Sequence, residues 1–65
     1  MQSVHVSQLV VGRVYRFIAH AGAMGLSENS GVFRGTADVD YVAFYSDLFQ
    51  ADFLVSTSVH TFFNV

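Results

Sequence analysis

The sequence predicts an all-β domain: a small five-stranded antiparallel sheet, strongly curved or closed into a barrel, with one short helical turn near residues 56–59. Three observations carry that expectation. β-Branched and aromatic residues dominate the chain, and the strongest helix formers are scarce. The apolar stretches are short, and Gly, Asn, Asp or Ser bound them, which is strand-and-turn punctuation. Several stretches carry apolar side chains on both faces. A sheet of so few strands covers both faces only by curling or by stacking on another subunit.

The elements follow in order. Residues 6–9 form an opening turn, and Gly12 releases the backbone before the first strand, 13–20 (RVYRFIAH). In that strand Tyr15, Phe17 and Ala19 share one face, and Val14, Arg16, Ile18 and His20 share the other. Tyr15 and Phe17 are expected in the core. Residues 21–30 (AGAMGLSENS) form the longest connection, exceeding the usual hairpin loop of about 2–5 residues. Its Met24 and Leu26 either cap an open end of the sheet or form a contact surface, since binding residues concentrate on loops. The second strand is 31–35 (GVFRG), and the third is 41–45 (YVAFY), where Val42 and Phe44 oppose Tyr41, Ala43 and Tyr45. The fourth is 52–55 (DFLV) and the fifth 61–65 (TFFNV). Between these two, the hydroxyls of Ser56, Thr57 and Ser58 suit a single helical turn.

This order of elements resembles the SH3-like small β-barrels. The residues that carry the resemblance are Leu9, Gly12, Tyr15 and Phe17 at the start, Gly31, Phe33 and Gly35 in the second strand, Val42 and Phe44 in the third, and Val55, Val59 and Phe62 near the end. The resemblance covers most of the chain and implies one barrel domain over residues 1–65. Small barrels host many functions, so it implies no particular activity. The short, Lys-free chain also looks like the compact accessory proteins and inhibitors of bacteriophages.

Composition bounds the function more tightly. A chain of 65 residues buries a small core, worth about 3–5 kcal/mol unaided. With no Cys there are no disulfides or thiolate metal sites to reinforce it. Charged residues make up 12% of the chain and hydrophobic residues 52%, too few charges to cover a small domain's large surface. Apolar surface is therefore expected to pack against another chain, as a homo-oligomer or with a protein partner. Three Arg and no Lys, at a net charge of −2, argue against a general nucleic-acid binder. There is no run of about 18 apolar residues, and the opening MQSVHVSQ lacks the pattern of a signal peptide. The expectation is a cytoplasmic protein with no membrane contact.

Few constellations suggest chemistry. His5, His20 and His60 lack metal-ligand spacing, and no metal or cofactor is expected. Asp38 and Asp40 read as turn residues. Ser56, Ser58 and His60 are close in sequence but lack a nucleophile motif, and no phosphate-binding Gly loop is present. No enzyme is expected.

The best-supported reading is a non-catalytic protein-binding module, an inhibitor or accessory factor that acts as a homo-oligomer. Its candidate contact residues are Tyr15, Arg16, His20, Arg34, Tyr45 and Phe49, with Met24 and Leu26 of the long loop. Arg13 and Arg16 point to opposite faces, and Arg16 is favoured because it shares a face with Ile18 and His20. Two alternatives stand: a nucleic-acid-binding barrel using sheet aromatics and arginines, and an oligomeric protein that sequesters a small anion.

Overall fold

The connection between the last two strands dictates the shape of the molecule. A computed structural model describes residues 2–20 and 29–65. They form one antiparallel sheet of six strands: β1 (Ser3–Val4), β2 (Val14–Ala19), β3 (Ser30–Asp38), β4 (Tyr41–Ser46), β5 (Ala51–Ser56) and β6 (His60–Asn64). Their spatial order is β1-β6-β2-β3-β4-β5. β5 and β6 are thus neighbours in sequence but lie four strand spacings apart across the sheet. In a flat sheet that separation is about 19 Å. The link from Ser56 to His60 spans at most about 14 Å. The sheet must therefore curl, and the overall dimensions of 28 × 25 × 23 Å fit a curled sheet.

The all-β expectation holds, with three corrections. The sheet has six strands, because Ser3–Val4 adds a short one beside β6. It does not close into a barrel: β1 and β5 remain its two edges. The helical turn expected at 56–59 is absent. Residues 57–59 bend without helical pairing, the Ser56 and Ser58 hydroxyls bond each other at 3.0 Å, and Thr57 N donates to Asp40 O at 2.8 Å. The one helical element among the described residues is a 3-10 turn at Val6–Gln8, within the expected opening turn. It is capped reciprocally: Ser7 N donates to His5 Nδ1 at 3.1 Å and His5 N donates to Gln8 Oε1 at 3.2 Å. Among the described residues, no helix is long and apolar enough to cross a membrane.

The concave face holds the core. Tyr15, Phe17, Phe33, Val42, Phe44, Val55 and Phe62 are buried there, and Val4, Val6, Leu9 and Phe53 pack around them. These residues alternate along their strands with outward side chains, as the pleat requires. Phe44 is fully buried at the centre. Its ring lies 4.9 Å from that of Phe17, 5.5 Å from Phe33 and 5.9 Å from Phe62, on which it stacks. Burying one such ring contributes roughly 1.5–3 kcal/mol, a large share of a small domain's stability.

Two glycines are required by geometry. The β3–β4 register slips between Phe33 and Gly35, leaving Arg34 as the extra residue of a bulge, and Gly35 takes φ +134° there. Gly31 packs where a Cβ would lie 2.9 Å from Tyr45 O. β3 and β4 can approach this closely only because that atom is missing.

Candidate interaction surface and a histidine groove

The convex face carries part of the exposed apolar surface, the rest lying in turns and termini such as Val39, Leu48 and Val65. Strand alternation turns Val14, Arg16 and Ile18 of β2 outward, with Val32 of β3, Tyr41, Ala43 and Tyr45 of β4, Asp52 and Leu54 of β5, and Phe63 of β6. Register joins them into rows. Val14 pairs with Val32, Val32 with Tyr45, and Tyr45 with Asp52, so one row crosses four strands. A second joins Phe63, Arg16 and Ser30. Val14, Ile18, Tyr41 and Leu54 are each between 43% and 55% exposed, where a single covered core would leave polar residues.

Arg34 sits beside the first row. Its Nε is 3.7 Å from Asp52 Oδ1, and its guanidinium lies 5.8 Å from the Tyr45 ring centroid. The bulge directs this side chain outward, onto the Tyr45–Asp52 cross-strand pair. The pair is solvent-exposed and contributes about 0–1 kcal/mol. It leaves both charge signs and an aromatic ring together on one surface.

The other expected contact residues are distributed. Arg16 is half-buried on the outer face, paired across strands with Phe63. Phe49 is 60% exposed beside exposed Leu48 in the β4–β5 turn, where Phe49 N donates to Ser46 Oγ at 3.3 Å. Tyr15 is a core residue with no surface to offer: its ring is buried and its hydroxyl accepts from Val10 N at 2.9 Å. Met24 and Leu26, with most of the 21–30 loop, lie outside the described residues.

His20 belongs to a different site. It lines an open groove of about 340 Å³ between β1, the end of β2 and β6, together with His5 and His60. The spacing of these three histidines gave no sign of convergence. The strand order supplies it, because β6 lies between β1 and β2. Val4, Val6 and Phe62 give the groove an apolar side.

Each ring is held by one nitrogen. His60 is 7% exposed, with its Nδ1 2.9 Å from Ser56 O. A carbonyl only accepts, so Nδ1 carries the proton and Nε2 of the neutral ring is the acceptor. His5 is the reverse: Ser7 N donates to its Nδ1, which places the neutral ring's proton on Nε2. His20 Nε2 bonds Thr61 Oγ1 at 2.8 Å. Among the described residues, no group of three His, Asp or Glu is arranged to hold a metal ion. The Ser56 hydroxyl bonds Ser58, and His60 bonds the Ser56 carbonyl, so the sequence-adjacent Ser and His do not form a nucleophile–base pair. Asp38 Oδ1 accepts from Val39 N at 2.7 Å, a local turn bond.

Comparison found no family model, no curated protein and no solved structure similar to this chain.

Proposed function

We propose that the chain is a non-catalytic protein-binding module whose convex sheet face associates with a second copy of itself. The observation that carries this reading is the row Val14–Val32–Tyr45–Asp52 with exposed Ile18 and Leu54 on the same face. A sheet face covered on one side only normally alternates apolar inward with polar outward. Here Val14, Ile18, Val32, Tyr41, Tyr45, Leu54 and Phe63 point outward, with Arg16 and Asp52 among them, in a chain whose charged residues total 12%.

A second copy fits this face for two reasons. Around a twofold axis the same patch meets itself, so a face bearing Arg16 and Arg34 beside Asp52 offers each sign to the other. A small core also gains the apolar burial that its own fold does not supply. An inhibitor or accessory role, in the cytoplasm, follows if a further partner docks on surface left free, with exposed Leu48 and Phe49 the candidate contact.

Sedimentation velocity tests the reading. The expected result is a dimer at micromolar concentration that becomes monomeric on Ile18→Glu. A wild-type chain that stays monomeric up to high micromolar concentration overturns self-association.

A further inference from the structure

The histidine groove lies on the β1–β6–β2 side and meets the margin of the convex face at Thr61, the cross-strand partner of Ile18. We propose that it binds a small oxyanion carried on an apolar or aromatic body: a carboxylate or a phosphate monoester.

Three features select this ligand class. The first is the polar lining. His5 presents an Nε2–H, and the hydroxyls of Ser3 and Thr57 add further donors. Among the described residues, His60 bonds through Nδ1 alone, and its ring lines the groove. Its Nε2 is the nitrogen left to meet a ligand there. It accepts when the ring is neutral and donates once the ring is protonated.

The second is charge. Among the described residues, no Asp, Glu or Arg lines the groove. Of the charged residues on the strands that form or adjoin it, Arg16 of β2 and Asp52 of β5 face the convex side. Among the described lining residues, no carboxylate opposes an anion, and the three imidazoles are the polar rings that face it. The Nδ1–H bond to Ser56 O holds the His60 ring in place, as outer hydrogen bonds hold working histidines elsewhere. The edge-on Phe17 ring, 6.1 Å away, backs it.

The third is size and surface. A groove of about 340 Å³ lies at the small end of ligand sites. It exceeds a bare anion, and Val4, Val6 and Phe62 cover an apolar body. A metal ion is a poorer occupant, because the described residues hold no cluster of three ligands.

Backbone amide NMR titration of the intact chain tests the proposal, with benzoate, phenyl phosphate, neutral benzyl alcohol and zinc as separate probes. Benzoate or phenyl phosphate is expected to produce saturable shifts at Val4, Thr61 and Phe62 in the millimolar range or tighter. Whichever of these two binds more tightly assigns the head group. His60→Gln should weaken binding several-fold. Should that variant fail to fold, His5→Gln, at an exposed position, must do the same. Absence of saturable shifts with either anion, equal binding of benzyl alcohol, no loss in His5→Gln, or zinc binding tighter than the anions overturns the proposal.

Discussion

The hydroxyl of Tyr15 accepts a hydrogen bond from the backbone N of Val10 at 2.9 Å, tying the segment before β2 to the core. The ring lies edge-on to Phe33 with centroids 6.4 Å apart, so one side chain both packs and anchors. Tyr15→Phe keeps the packing and removes the acceptor. It should cost about 0.5–1.5 kcal/mol in chemical denaturation. Tyr15→Ala should cost about 3–5 kcal/mol, comparable to the domain's whole stability, and leave the chain unfolded by circular dichroism. A stability change near zero in Tyr15→Phe would show that the bond does not anchor the segment.

Gly31 faces Tyr15 across the β2–β3 ladder, and an added methyl meets the Tyr45 carbonyl at 2.9 Å and Phe44 Cβ at 3.3 Å. The nearer contact is backbone, so a rotamer change does not relieve it. Gly31→Ala should destabilise by about 1–3 kcal/mol. The measurement is the denaturant midpoint. A neutral or stabilising result would mean that β3 and β4 can separate slightly without loss.

These positions show what the sequence made legible. The alternation of Tyr15 and Phe17 predicts their inward face, and the structure buries both; in 41–45 it separates Val42 and Phe44 from Tyr41, Ala43 and Tyr45 without telling which set is inward, and the structure buries Val42 and Phe44. Tyr41, Ala43 and Tyr45 therefore face outward. β1 escaped notice because two residues show no periodicity; pairing with Phe62 and Phe63 defines it. The serine-rich link was read by hydroxyl chemistry as helical. The decisive facts were tertiary, since Asp40 O takes Thr57 N and the curl of the sheet sets the path. The histidine groove was equally hidden, because it depends on β6 inserting between β1 and β2. No local spacing encodes that insertion.

Gln50 ends the β4–β5 turn at φ 53°, in the left-handed region. A side chain there costs roughly 1–2 kcal/mol relative to ordinary backbone. Glycine removes that cost but adds freedom to the unfolded chain, worth roughly 0.4–1 kcal/mol. Gln50→Gly should therefore raise stability slightly, by about 0–1 kcal/mol, read as a small increase in Tm. A clear loss would show that the Gln50 side chain contributes a contact that outweighs its backbone cost.

Arg34 and Asp52 form the exposed ion pair beside Tyr45. A double-mutant cycle of Arg34→Gln and Asp52→Asn should return a coupling of about 0–1 kcal/mol in the monomer, smaller in high salt. If the convex face meets a second copy, the same substitutions should weaken association more than they weaken folding. Charged groups at an interface lose solvent, and an unmatched partner is then costly. Equal effects on folding and association would remove the pair from the interface.

Self-association links folding stability to concentration. If two convex faces cover each other, the dimer binds the folded state only, and the unfolding midpoint rises with protein concentration. Wild-type Tm should increase measurably over a hundredfold concentration range. Ile18→Glu places a charge at a half-exposed position whose cross-strand partner is Thr61, so the monomer fold tolerates it. In that variant Tm should become independent of concentration while the circular dichroism spectrum stays the same. A wild-type Tm that does not move with concentration would mean that the apolar rows face water in the free protein. Self-association would then fail as the explanation of this surface, leaving only a partner of a different kind.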